Sequence, residues 1–224
     1  MAQAGIHGMV AAAVRKYVPG KEWLMLGIVL GNIFPDMDNL AVAVATVAKL
    51  PTHGLHRTFT HSVFTIVLAV AAFYLVAALT QKPRWKNLGL GLGIGILMHV
   101  LVDLVIWFNG VEILWPLKSW VNLWEGFQVP DWLSKFLMPA EFLCFGLFFL
   151  VLASLAHKHQ TDTGYLSKLR VWTILQFVLF LIFTIMVYKM DTGFMTIYGA
   201  VYLLSLFLAF GIAIRMRNTV EALG

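Results

Sequence analysis

An all-α, polytopic membrane bundle is the fold this sequence predicts, and three observations predict it. Hydrophobic residues make up 60% of the 224 against 12% charged, a balance that cannot clothe a soluble globule in polar surface. The apolar residues gather in long runs, several near the roughly 20 that a helix needs to cross hydrocarbon. The cations stand in small groups between those runs, so the formal charge of +5 reads as a topology signal and not as a patch for nucleic acid. About six or seven membrane segments are expected, short N-terminal ones included. The chain has one cysteine, Cys144, inside an apolar run. Neither an intrachain disulfide nor a thiolate-rich metal site can form, which leaves His and carboxylates as metal donors.

The N-terminus reads as part of the mature protein, because Arg15 and Lys16 follow the short apolar stretch 4–13 instead of preceding it. Residues 4–18 form a short helix stopped at Pro19-Gly20, with His7 near its start, either a lone polar residue at a frayed end or something more. Residues 22–34 supply only about 13 apolar positions, so this segment crosses part of the bilayer, tilts, or is sheltered by other helices. It ends in Pro35-Asp36-Met37-Asp38. One aspartate can cap the next helix, residues 39–49, but a cap has no use for both.

After a loop carrying His53, read as solvated, comes the stretch HRTFTHS at 56–62, with two imidazoles and a guanidinium at the mouth of a long apolar segment. Ionisable side chains beside hydrocarbon mark chemistry unless they snorkel to the headgroups. Thr60 or Ser62 caps the span 62–80. Lys82, Arg84 and Lys86 then form the densest positive loop, which the positive-inside rule assigns to the cytoplasm, so the 56–62 end faces out.

The span 88–108 opens with Gly89, Gly91, Gly93 and Gly95. No strand precedes them, so they serve close helix packing and not phosphate binding. His99 and Asp103, four apart, share one face of this helix, about 13 Å and 7 Å below the outer boundary if the span ends near Phe108. They either hydrogen-bond between helices or join the residues at 56–62.

Residues 109–137 carry Trp115, Trp120, Trp124 and Trp132, which suit an amphipathic lid on the outer surface, with Glu112, Glu125 and Asp131 as solvated charges. Spans over 138–156, 171–188 and 194–214 complete the chain and offer nothing chemical. His157 and His159 are loop residues at the opposite membrane face. This topology puts Arg15, Lys16, Lys21, Lys82, Arg84, Lys86, Lys158, Lys168, Arg170, Arg215 and Arg217 inside, 11 of the 16 cations, and the C-terminus with them.

His7, Asp36, Asp38, His56, His61, His99 and Asp103 then all lie towards the outer face. The set exceeds what one tetrahedral ion needs and suits two or more, Zn²⁺ first, with Mn²⁺ or Fe²⁺ as alternatives. Paired ions activate water and hold attacking and leaving oxygens, an arrangement best used by phosphoester hydrolysis. Asp36 or Asp38 can double as general base. Arg57 either clamps a phosphate oxygen or snorkels to lipid headgroups.

The order His7, PDMD at 35–38, HRTFTHS at 56–62, His99 with Asp103, then Trp115-Pro116 resembles the YdjM-like family of membrane-bound metal-dependent hydrolases, over roughly residues 1–120. The resemblance implies a hydrolase of the cytoplasmic membrane, distantly similar to zinc-dependent phospholipase C and nuclease enzymes. It points to the same seven residues as metal ligands. The chain departs from the family's pattern in a short loop after Asp38 and in Asn39, where a further His is frequent. The expected organisation is one membrane domain over 1–224, with a metal-site half at 1–120 and the Trp-rich segment and three structural spans at 121–224. The expected substrate is a phosphoester, lipid or lipid-linked, reached among membrane lipids, with no nucleic acid as partner. The rival reading is an ion- or proton-coupled transporter built on intramembrane His and Asp, which would carry polar groups through the whole membrane depth.

Overall fold

The computed structural model describes residues 4–108 and 110–222; the Trp-rich segment expected from residue 109 is therefore described from Gly110 onward. Among the described residues, six helical stretches are long and apolar enough to cross a membrane. The all-α bundle predicted by composition is what the chain forms.

Helix α1 (Ala4–Val14) tightens into a 3-10 turn, Arg15–Tyr17, just before the predicted stop at Pro19-Gly20. Helix α2 (Leu24–Ile33) has all ten residues buried, so the short segment is sheltered by its neighbours. A 3-10 turn, Phe34–Asp38, joins it to α3 (Asn39–Val47), and the composite Leu24–Val47 is long enough to cross a membrane although neither helix is. Helix α4 (Val63–Thr80) buries only Thr65 and otherwise exposes an apolar surface suited to lipid. Helix α5 (Pro83–Ile106) starts earlier than predicted, with Pro83 in its first turn, where the missing N–H is no loss. Arg84 and Lys86 thus stand on the first turn of a helix and not in a loop.

The glycines of α5 explain how the bundle closes. Gly91 and Gly95 face α2, where a Cβ would lie 2.3 Å from the Leu24 carbonyl oxygen and 2.4 Å from that of Ile28. Gly27 and Gly31 of α2 return the contact, 2.4 Å from the Leu88 oxygen and 2.3 Å from the Leu92 oxygen. Gly89 and Gly93 face the other way, onto Phe73 and Val70 of α4. Alternate glycines therefore serve two neighbours, and backbone meets backbone between α2 and α5.

Two features refine the expectations. The segment after α5, expected as an amphipathic lid, is an antiparallel hairpin, β1 (Val111–Glu112) with β2 (Trp120–Val121), followed by irregular chain. Trp124 donates its indole N–H to the Leu104 and Val105 carbonyls at 3.1 and 3.0 Å, closing the open end of α5. Helix α6 (Asp131–His159) then begins seven residues before the predicted 138 and runs through Pro139. Helices α7 (Leu166–Lys189), α8 (Phe194–Arg215) and the short α9 (Arg217–Glu221) follow, and the main core draws on α1, α2 and α5 to α9 together.

The two ends of the bundle differ. At one, the Glu221 carboxylate accepts the N–H groups of Trp23 and Leu26 at 2.7 and 2.6 Å, and the Arg84 guanidinium lies 4.4 Å from the Trp23 ring centre. Lys21, Arg84 and Arg217 line one cavity there. At the other end, α2 and α5 deliver the predicted ligands.

Candidate metal centre

The end of α2 supplies the first piece of the site. The Asn32 carbonyl oxygen meets Nδ1 of His99 at 2.7 Å. With Nδ1–H donated there, the His99 Nε2 lone pair faces inward, the orientation a metal-ligating imidazole needs. That Nε2 lies 3.1 Å from Nε2 of His61 and 3.8 Å from Oδ1 of Asp36.

Asp38 organises the HRTFTHS stretch. Its Oδ1 accepts from His56 Nδ1 at 2.6 Å, and its Oδ2 accepts from the Thr60 hydroxyl at 2.8 Å and the Arg57 backbone N–H at 3.2 Å. Asp38 occupies the N-cap position of α3 yet makes no side-chain capping bond. Ser62, not Thr60, caps α4, accepting the Thr65 N–H at 3.2 Å. Thr60 meets His61 Nδ1 at 2.9 Å, which leaves His61 Nε2 for the interior. Asn39, in place of a further His, reaches the Asp36 carbonyl at 2.8 Å and His56 Nδ1 at 3.5 Å.

From α1, His7 stacks on His99 with ring centres 3.6 Å apart and meets Oδ1 of Asp103 at 3.2 Å. All seven predicted ligands therefore converge. They form three overlapping groups of potential donors: His7, His99 and Asp103; Asp36, His61 and His99; Asp38, His56 and His61. His61 and His99 each belong to two groups, so adjacent positions share ligands. His7, Asp36, His61, His99 and Asp103 are buried, whereas the Asp38 and His56 side chains keep some exposure. That half-open end adjoins a cleft of about 510 Å³.

His56 lies outside the membrane-spanning stretches, and burial holds its pKa below the ordinary imidazole value although Asp38 pulls the other way. A neutral ring is a competent ligand. Its Nε2 is buried without a hydrogen-bond partner, as are Nδ1 of His7 and Oδ2 of Asp103. Buried imidazole and carboxylate atoms left without partners in such a cluster fit divalent ions.

Arg57 does not snorkel. It is 4% exposed, and its backbone adopts φ 62°, a left-handed conformation that non-glycine residues seldom take. The guanidinium Nε comes within 3.5 Å of Asp103 Oδ2 without hydrogen-bond alignment, and both Nε and Nη1 lack partners. Two N–H donors thus remain for an anion entering the cluster.

A family model described as YdjM inner membrane protein matches residues 2–218. The chain belongs to the YdjM inner membrane protein family. The match extends well beyond the first 120 residues whose motifs carry the resemblance, through α6, α7 and α8. Membership agrees with the six apolar helical stretches and places the chain in the inner membrane. No curated protein and no solved structure matches the chain.

Residues outside the cluster fall largely where expected. His53, Glu125, Asp131, His157 and His159 are exposed, although His157 and His159 stand in the last turn of α6 and not in a loop, and Asp131 pairs with Lys135 at 2.7 Å. Glu112 is half-buried beside the cleft instead of fully solvated. The spans after 138 are not chemically empty, because Glu141 of α6 is fully buried and accepts the Gly5 N–H at 2.5 Å, at the start of the helix that carries His7. A carboxylate within so apolar a run was itself a signal, since ionisable residues inside membrane helices seldom lack a task. The Asn32 carbonyl and the Thr60 hydroxyl had no such signal.

Proposed function

We propose that this YdjM-family protein is a metal-dependent hydrolase of a phosphoester, lipid or lipid-linked, with its site towards the outer face of the membrane. The observation that carries the proposal is the convergence of three ligand groups around Arg57, whose buried N–H donors lack partners. Divalent ions held there, zinc foremost, would supply a water acidic enough to act as nucleophile near neutral pH. His7, His56, His61, His99, Asp36 and Asp103 are the ligand atoms the geometry offers. Asp38 serves either as a further ligand or as the carboxylate that orients His56 and His61, and Asp36 or Asp38 receives the water's proton. Arg57 binds a non-bridging phosphate oxygen. As the water oxygen bonds to phosphorus, the ester P–O bond breaks, and the leaving oxygen takes up a proton as the alcohol departs.

The distribution of polarity supports hydrolysis over transport. Between Asn87 and His99, α5 presents only Leu, Gly, Ile and Met, and α2 is apolar apart from Asn32. An ion pathway would continue through that depth. The outward orientation follows from assigning the Lys21, Arg84 and Arg217 end to the cytoplasm by the positive-inside rule.

The test is hydrolysis of phospholipid micelles and of bis(p-nitrophenyl) phosphate by purified protein supplied with zinc or manganese. Turnover that chelator abolishes and metal restores, and that His61→Ala lacks, is expected. Metal-driven ion flux in liposomes without hydrolysis would establish the transporter instead.

A further inference from the structure

The cleft beside His56 carries a second recognition element. Strands β1 and β2 pair with Glu112 opposite Trp120, so the two side chains project from the same face of the hairpin. Both line the cleft of about 510 Å³, together with His56 and Thr58, a volume within the usual range of small-molecule sites. Among the described residues the Glu112 carboxylate has no ion pair and no hydrogen bond, and no Lys or Arg lines the cleft.

Trp120 is held in place yet left open. A Cβ on Gly110 would stand 2.3 Å from Trp120 Nε1 and 2.5 Å from Cε2, so only glycine admits the indole there. The residue is nevertheless 56% exposed. The hairpin is also tied to the cluster, since the Glu112 N–H donates to the Arg57 carbonyl at 2.9 Å and the Val63 N–H to the Ile113 carbonyl at 2.8 Å. One residue thus offers a phosphate clamp, and the residue bonded to its backbone offers a free carboxylate beside an aromatic face.

An unpaired carboxylate next to an exposed indole is the chemistry that recognises an alkylammonium group. We propose that the Glu112–Trp120 pair selects phosphodiesters whose headgroup carries an ammonium, the phosphoethanolamine and phosphocholine class. This rests on the hydrolase reading for the fate of the substrate, but not for its binding. The phosphate enters the His/Asp cluster against Arg57, and the short link between phosphate and ammonium places the cation between Glu112 and Trp120. Headgroups ending in hydroxyls, such as glycerol, gain neither the charge pairing with Glu112 nor the cation–π contact with Trp120.

The experiment uses full-length, zinc-supplied protein in detergent, with phosphocholine and glycerol 3-phosphate as calorimetric probes and phosphatidylcholine and phosphatidylglycerol micelles as substrates. Phosphocholine is expected to bind about tenfold more tightly than glycerol 3-phosphate. Glu112→Gln and Trp120→Leu should each erase that preference while metal content and glycerol 3-phosphate binding stay at wild-type levels. Trp120→Phe should retain part of the preference. Equal binding of the two probes by wild type, or an undiminished preference in Glu112→Gln, would overturn the proposal. Selective binding without turnover of any ester would support it while removing the hydrolase reading.

Discussion

Asp38 and Thr60 show how single side chains prepare the centre. Each engages Nδ1 of an imidazole, which leaves His61 Nε2 facing His99 and His56 Nε2 buried without a partner. Such outer contacts commonly contribute 10- to 100-fold to metal affinity. Thr60→Val should therefore weaken metal binding by about that factor with little loss of fold, measured by competition with a fluorescent chelator. Arg57 works differently, because its guanidinium makes no aligned hydrogen bond to any predicted ligand. Arg57→Lys should leave metal content intact and lower kcat/KM for a phosphodiester by about 100-fold, the scale of losing one directed donor to developing charge. pH dependence follows from His56. Its pKa lies below the ordinary 6.5, so the ring is neutral and available at pH 7 and is lost to protonation as pH falls. Metal affinity measured from pH 8 to pH 5 should hold steady until below about 6.5 and then decline.

The candidate ligands were legible as residues because histidine and aspartate are rare in apolar sequence, and each occurrence at 7, 36, 38, 56, 61, 99 and 103 needed a reason. What holds them was less legible. The Asn32 carbonyl that meets His99 leaves no mark of its own in the sequence, and Thr60 resembled an ordinary cap.

Among the elements, the α2–α5 pair positions the site, since α2 leads directly into Asp36 and Asp38 while α5 carries His99 and Asp103. The glycine spacing announced close packing, and the structure adds that alternate glycines serve different partners. Gly91→Leu should force those backbones apart, destabilising the protein by at least about 1–3 kcal/mol and lowering metal content with it. Gly199 of α8 provides the control, because a Cβ there meets nothing within 4 Å. Gly199→Ala should leave the metal in place and raise the midpoint of thermal unfolding in detergent, by the roughly 0.5–1 kcal/mol that alanine gains in a helix. Glu141 links α6 to the first turn of α1. Removing its carboxylate in Glu141→Leu strands a buried N–H, at a cost of about 1–3 kcal/mol. The hairpin itself was not legible, because tryptophans and prolines signal an interface without specifying backbone shape.

At the scale of the whole molecule, a cation-rich end and a His/Asp end stand at opposite limits of one apolar bundle. The positive-inside rule found that polarity from sequence alone, whereas the composite span Leu24–Val47 was legible only as two fragments, because its helix is interrupted where the site needs Asp36 and Asp38. The interruption carries Asp36 and Asp38, and three groups able to hold a metal ion share His61 and His99.

Elemental analysis of purified protein, counting metal per chain in wild type, His61→Ala and Asp103→Ala, tests this account most directly. Two or more equivalents in wild type, reduced in both variants, is the predicted result. Wild-type protein that retains no specific metal after exposure to zinc and manganese would contradict it.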